Sequence, residues 1–360
     1  MSVCIVTGSG GLIGSESVRF FSKKFDVVVG IDNDSRSYFF GKDASVSDSI
    51  NSLTYIENYV HHPCDIRDYG ALEKIFSKFS NEIELVIHTA AQPSHDWAAK
   101  EPLTDFSINA MGTLNLLELT RLHSPKASFI FTSTNKVYGD SPNKLLGIHE
   151  DETRYQLYND IGWKQSIDES MSIDNSMHSV FGASKVAADV MVQEYGKYFN
   201  MNTVCFRGGC LTGPQHKGAQ LHGFLSYIIK CIVSGKQYTI FGYKGKQVRD
   251  NIHSWDLINM FDCYHSKPRQ GEVYNAGGGM NNSVSVLETI NLVNDVCREI
   301  DPSWVDWKNY TISETPRMGD HIYYVTNLWK FMNHYPEWNG ITIPIRDIVK
   351  EMVLKELNNE

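Results

Sequence analysis

Thr7-Gly8-Ser9-Gly10-Gly11-Leu12-Ile13-Gly14 follows directly on an apolar run, residues 2–6, that reads as a short buried strand. Gly8, Gly11 and Gly14 are spaced GxxGxxG. Each has its own physical task. The first permits a tight turn out of the strand. The second lets backbone N–H groups approach a pyrophosphate with no side chain between them. The third lets the following helix pack closely. That helix, predicted over 15–24, turns its positive end toward the phosphates, so Gly8, Gly11, Leu12 and Ile13 are the phosphate candidates. A second strand, predicted over 26–31, ends at Asp32 and Asn33. A carboxylate there accepts hydrogen bonds from the adenosine ribose hydroxyls of NAD and repels the extra phosphate of NADP. A glycine triplet alone is equally a plain turn, and an acid at a strand end is equally a solvated one. The strand before, the amphipathic stretch after and the acid at the second strand's end together predict an NAD site in an α/β Rossmann fold with a doubly wound parallel sheet.

The chain has 360 residues, 42% hydrophobic and 21% charged, enough for a large core in one or two packed domains. The formal net charge is −9 with no basic cluster, which argues against nucleic acid or an anionic membrane as the main partner. Apolar runs are strand-length and the chain starts on a core strand, so neither a membrane span nor a signal peptide is expected. Seven cysteines without C-x-x-C spacing predict reduced, mostly structural thiols in a cytoplasmic protein. No His/Cys/carboxylate group has metal-ligand spacing, and no metal is expected.

Strand and helix patterns alternate through the first half. Asn33 to Asn51 is polar and reads as a loop with a short helix. Asp65 follows a third strand. It either takes the adenine amino group with Ile66 against the ring, or caps the helix starting near Tyr69. After a strand over 84–88, the small residues of Thr89-Ala90-Ala91-Gln92 let the backbone lie against the cofactor. Asn109 falls among apolar neighbours on a helix predicted over 104–123. A buried amide needs partners, and it is expected to tie that helix to the neighbouring strand. A strand over 127–131 runs into Thr132-Ser133-Thr134-Asn135, a cluster of hydroxyls where open α/β sheets bind ligands. Residues 140–179 read as a lid or pocket wall. Phe181 to Lys185 opens a helix reaching about 199, and a strand over 203–207 ends at Arg207, Gly208 and Gly209. Beyond, alternation is lost: helices are predicted over 218–234, 285–300 and 344–355, and strands over 238–241, 247–252 and near 274. This predicts a dinucleotide-binding domain over 1–207, to which 247–275 returns, and a smaller mixed α/β substrate domain mainly over 208–360.

These residues resemble the extended short-chain dehydrogenase/reductases that act on nucleotide sugars, and among them the CDP-tyvelose (CDP-paratose) 2-epimerase branch. The likeness runs nearly end to end. Its more specific strings are STNKVYGD from Ser133 and GKQVRD from Gly245; Gly182–Lys185 with Ala187-Ala188-Asp189, and Asn275–Gly278, match as well. The resemblance implies redox-neutral epimerisation at C2 of a CDP-hexose through a 2-keto sugar, with NAD held tightly. It also implies a nucleotide-diphosphate sugar as partner, and a homodimer formed by helices 104–123 and 182–199. Ser133, Thr134, Asn135 and Gly209 are then substrate contacts, and Arg249 and Arg317 hold phosphate, although either arginine is equally a surface ion pair. Lys185 bonds the nicotinamide ribose. Thr132, Asn109, Arg207 and Gly208 lie on the cofactor side, and Arg207 is equally a structural link. A 4-epimerase or 4,6-dehydratase is the alternative. Dehydratases of this family carry an acid pair directly after the strand threonine, where this chain has Asn135 and Lys136.

The family's catalytic set is Ser/Thr with Tyr-x-x-x-Lys. Thr134 and Lys185 match, but the tyrosine position is Phe181. Phenylalanine has no proton to exchange, and losing a general base costs about 10²–10⁴-fold in rate. Three accounts fit. A substitute base acts (Lys185 through a water, Tyr155, Tyr158 or His178); the position was changed deliberately to trap substrate; or the protein binds NAD and sugar nucleotide with little turnover. Phe181 is equally plain core packing at the helix start.

Overall fold

A computed structural model describes residues 1–159, 162, 164–216, 223–317 and 319–358. The alternating half folds as βα units: β1 (Val3–Thr7), α1 (Leu12–Phe21), β2 (Val27–Ile31), β3 (Tyr59–His62), α2 (Tyr69–Lys78), β4 (Ile83–His88), α3 (His95–Lys100), α4 (Gly112–His123), β5 (Ser128–Thr134), α5 (Ser179–Phe199), β6 (Asn202–Gly208) and β7 (Glu272–Ala276). The seven strands form one sheet in the order β7-β6-β5-β4-β1-β2-β3. β1 pairs in parallel with both β2 and β4, and β4 with β5. The strand order reverses beside β1, and ligands of doubly wound sheets bind at that switch point. β1 is buried throughout, as a parallel strand covered on both faces must be. Its core neighbours include Val29, Phe76, Leu116, Phe129 and Cys205.

Two predicted segments differ in detail. The polar stretch after Asn33 is mostly helical, with Ser35–Phe40, a 3-10 turn Lys42–Ala44 and Ser47–Leu53. Asp34 organises it: its carboxylate accepts the Val46 N–H at 2.8 Å and the Ser45 hydroxyl at 2.6 Å. Such side-chain-to-backbone bonds leave no apolar periodicity to read. The helix predicted over 104–123 runs unbroken over 102–123, with a π-type turn at Ser107–Met111 ahead of α4.

The chain divides into two compact units. The first comprises Met1–Val137, Ser179–Arg207 and Ile258–Tyr274; the second comprises Tyr138–His178, Gly208–Leu257 and Asn275–Glu360. Residues 138–178 thus fall with the second unit, and the piece returning to the first is 258–274 rather than 247–275. Within the second unit, Val248–His253 pairs with Cys210–Thr212, Ser283–Ser285 and Tyr323–Tyr324. Helices Phe224–Val233, Val286–Ile300 and Ile345–Leu357 share a core of Ile229, Ile290, Val293 and Val349. The predicted helix over 218–234 is described from Phe224; its first positions lie outside the described residues. Ser285 and Glu288 close a capping box on the second of these helices. Among the described residues, none of the seven cysteines is joined in a disulfide. Among the described residues no helix is long and apolar enough to cross a membrane.

In the first unit β5, α5 and β6 are joined by one buried carboxylate. Asp189 accepts from Arg207 at 2.8 and 3.1 Å, from the Ser133 hydroxyl at 2.5 Å and from Gln193 at 2.8 Å. Removing one partner of a buried ion pair leaves the other charge stranded. We expect Asp189→Ala to lose about 3–5 kcal/mol of stability in chemical denaturation, against less than about 0.5 kcal/mol for the exposed Glu57→Ala.

Candidate active site

The glycine turn sits at the carboxyl ends of β1, β2 and β4. Gly8 has φ +66° and its N–H donates to the Ile31 carbonyl at 2.8 Å. A Cβ on Gly14 would stand 2.0 Å from the Gly8 carbonyl oxygen, so α1 approaches the turn as closely as backbone allows. Gly11 is the helix N-cap, with no side-chain cap, and a Cβ there would meet only the Gly8 oxygen, at 3.3 Å. The first-turn N–H groups, those of Leu12 and Ile13 among them, thus have a Cβ-free cradle that fits a pyrophosphate. Ala90 lies against Gly8, its N–H donating to the Thr7 hydroxyl at 3.3 Å, and Ala91 continues the same small-residue segment.

Asp32 accepts the Gly10 N–H at 2.9 Å and the Asp34 N–H at 2.8 Å, and burial raises its carboxyl above the usual range. Asn33 donates to Asp65 at 3.0 Å, and Arg67 bonds both Asp65 oxygens. The cap of α2 is Asp68, which accepts the Ala71 N–H; Asp65 does not cap it. Ile66 is buried against Gly112.

Several predicted contact residues also make hydrogen bonds within the framework. Asn109 accepts the Gln92 N–H at 2.9 Å and donates to the Gln92 carbonyl, Asp105 and the Ser184 hydroxyl at 3.0–3.1 Å. It therefore ties its helix to the loop after β4 and to α5, not to a strand. The Gln92 amide is likewise occupied, by Ser94 and Asp105. Ser133 and Arg207 spend their side chains on Asp189.

Lys185 is buried on α5. Its ammonium donates to the Thr132 carbonyl at 2.9 Å and lies 4.1 Å from the Phe131 ring centroid. Burial, only partly countered by Asp189 and Asp105, pulls its pKa down to about 8. Thr134 accepts the Lys136 N–H at 3.2 Å and lies 3.5 Å from Asn135 Oδ1. Phe181 is buried one helical turn before Lys185. Its ring meets the His95 ring edge-on, centroids 4.9 Å apart, and His95 Nδ1 is 2.7 Å from the Ser179 hydroxyl. Sequence reading passed over His95. Its only local signal is a place just after the loop that follows β4.

In the second unit Gly209 donates its N–H to the Ala276 carbonyl at 2.9 Å, and Gly208 packs on Leu211. Arg249 is buried, donates to the Val248 carbonyl at 2.7 Å and pairs with Asp320. The Arg317 guanidinium stacks 4.4 Å from the Phe241 ring centroid. Tyr155 donates to Glu150 at 3.3 Å, Tyr158 packs on His149, and His178 pairs with Ser176. All three of those candidate bases thus belong to the second unit, whereas Phe181 belongs to the first.

Residues 4–277 match the family model described as the NAD dependent epimerase/dehydratase family. The chain belongs to that family. This epimerase/dehydratase chain is 32% identical over 301 residues to CDP-paratose 2-epimerase of Salmonella typhi, covering 81% of this chain and 84% of that one. It is 28% identical over 338 residues to dTDP-glucose 4,6-dehydratase of Salmonella typhimurium, covering 91% and 85%. Its fold is that of UDP-glucose 4-epimerase from Bifidobacterium longum, solved with NAD⁺ and UDP, at TM-score 0.78, 21% identity and 99% of each chain. The chain is thus an NAD-using enzyme of the nucleotide-sugar epimerase/dehydratase group, with the Rossmann sheet the glycine turn predicts.

The two helix-facing glycines separate fold from ligand. We expect Gly14→Ala, which drives Cβ into backbone, to abolish folding or lower Tm steeply. Gly11→Ala should keep Tm within a few degrees and weaken NAD binding at least tenfold by calorimetry.

Proposed function

We propose that this protein is an NAD-dependent epimerase acting at C2 of a CDP-hexose through a transient 2-keto sugar. The observation that carries the choice among family reactions is Asn135-Lys136 directly after Thr134. Elimination of water needs carboxyl groups there, and neither residue has one. The similarity to CDP-paratose 2-epimerase points the same way.

Bound NAD supplies an acceptor, and later a donor, for a hydrogen with its electron pair. Everything else is the chain's own work. Gly11, Leu12 and Ile13 hold the pyrophosphate and Asp32 the adenosine ribose. Lys185 has one of its three donors on Thr132, leaving two for the nicotinamide ribose. Thr134 hydrogen-bonds the reacting sugar oxygen, and Arg249 and Arg317 are the residues the resemblance assigns to the phosphates. Net redox change is zero, so the sugar must turn in place while its nucleotide stays fixed. A second reading, a binder of NAD and sugar nucleotide with little turnover, is favoured by Phe181 alone.

Incubation with CDP-, UDP-, GDP- and dTDP-hexoses in D₂O tests the proposal by NMR. We expect a C2 epimer from a CDP-hexose with no solvent deuterium at C2. Deuterium beside a 4-ketone would mean dehydration, and unchanged sugar signals over hours would mean the binder.

The Lys185 charge gives a pH signature. Its folded pKa is depressed, so the ammonium is lost as pH rises through about 8, while the unfolded chain keeps that proton to higher pH. NAD affinity in the free protein, measured by calorimetry, should fall through that window and be flat in Lys185→Met.

We also propose a homodimer. Tyr198 (78% exposed), Phe106, Met111 and Leu122 are large apolar side chains left on the helices the resemblance assigns to an interface, and Leu103 (87%) stands just before the first of them. Sedimentation as a monomer at micromolar concentration would rule it out.

A further inference from the structure

The first unit supplies its own candidate for the proton acceptor that Phe181 lacks. Resting on the epimerase reading, we propose that His95 is the general base and acid for the sugar hydroxyl, occupying the function of the absent tyrosine oxygen. Phe181 has a buried ring, and His95 is the titratable side chain that meets that ring edge-on, at 4.9 Å between centroids. It is half-buried rather than enclosed in the core.

The imidazole is oriented. Ser179 Oγ accepts the Gly182 N–H at 3.3 Å and lies 2.7 Å from His95 Nδ1. A hydroxyl both donates and accepts, so this bond suits either imidazole tautomer; the proposed base is the tautomer in which Nδ1–H donates to Ser179 and Nε2 is the basic nitrogen. Ser179 holds this place with φ +64°, a left-handed conformation that serine rarely adopts and that clusters at functional sites. The backbone under His95 is fixed too. Ser94 caps α3 through the Trp97 N–H, and Gln92, Asp105 and Asn109 bind the preceding loop to Ser184 on α5. His95 and Lys185 are therefore set on one rigid frame.

The step balances. As the sugar carbon gives its hydrogen and bonding pair to the bound nicotinamide, its hydroxyl proton passes to Nε2 and the C=O bond forms. On return the hydrogen and pair rejoin the carbon from the other side, and Nε2–H gives its proton back to the oxygen.

The test uses the NAD-loaded protein. We expect His95→Asn to fold, by circular dichroism, to bind NAD and CDP-hexose within threefold of wild type, and to lose at least 10²-fold in kcat. Added imidazole should restore turnover to His95→Gly, and Phe181→Tyr placed in His95→Asn should recover part of the rate. Should His95→Asn fail to fold, His95→Gln carries the same measurement. A kcat within threefold of wild type, or no rescue by imidazole or by tyrosine, would overturn the proposal. A second readout needs no turnover: carbethoxylation of His95 by diethyl pyrocarbonate, followed by mass spectrometry, should be blocked by CDP-hexose and not by CDP. Unprotected His95 also overturns the proposal. If wild type turns over no sugar nucleotide while His95 is protected, the epimerase reading falls and the position of His95 at the sugar stands.

Discussion

The contact on which this architecture depends is the approach of α1 to the turn before it. A single methyl group on Gly14 would sit 2.0 Å from the Gly8 carbonyl oxygen. No side chain can be accommodated there without moving backbone. That closeness brings the helix N-terminus over the carboxyl end of β1, where Gly8 bonds the Ile31 carbonyl and Ala90 closes in from the β4 side. Three strands and a helix converge on one small volume that holds backbone N–H groups and almost no side chains. The affinity for a dinucleotide follows from that geometry, since an anion meets unshielded donors and a favourable dipole in the same place.

A second constraint governs the reacting end. Burying an ammonium is costly unless it is hydrogen-bonded and countered by charge. Lys185 meets both conditions in part: a carbonyl from β5, an aromatic face at 4.1 Å, and two carboxylates whose field only partly offsets burial. Those carboxylates have other work. Asp105 anchors the Gln92–Asn109 loop, and Asp189 pins Ser133 and Arg207. The groups that support the lysine's charge therefore also fix the elements around it, so disturbing either carboxylate changes the charge balance and the frame together. His88 belongs to the same buried frame. Thr113 donates to the Asn109 carbonyl at 2.6 Å, so it accepts from His88 Nε2 at 2.9 Å, and His88 Nδ1 accepts from Thr7 at 2.7 Å. Burial holds that imidazole neutral, well below the usual histidine range.

The sheet and the glycine turn were legible from the sequence because each leaves a local mark: an apolar run and a fixed glycine spacing. What was not legible is long-range partnership. Asn109 shows as a buried amide in any reading, but its partners on the loop after β4 and on α5 are 17 and 75 residues away. Ser133 and Arg207 look like ligand contacts because they stand at strand ends, and only the structure brings Asp189 between them. Arg249 likewise has a distant partner, Asp320, 71 positions on, that no local pattern announces. The helical character of residues 35–53 was hidden for the opposite reason, since one carboxylate, Asp34, replaces the apolar stripe as organiser.

The substitution at Phe181 changes what its neighbours are for. A tyrosine there would bring a hydroxyl to be satisfied and a lysine one turn away to lower its pKa. With phenylalanine, the ring is apolar filling and Lys185 has no phenol to perturb, so its ammonium is committed to the Thr132 carbonyl and to whatever hydroxyls a ligand offers. In the proposed epimerase reaction, proton transfer then falls to another group, and His95 is the one we propose. The His95 ring on α3 packs against Phe181 in a T-shaped contact, with centroids 4.9 Å apart. An imidazole also titrates nearer neutrality than a phenol, so it needs less help from a buried cation to accept a proton. Phenylalanine at 181 and lysine at 185 are thus consistent with each other under the proposed mechanism, in which the lysine holds the ribose and the proton moves through a separate element on the same framework.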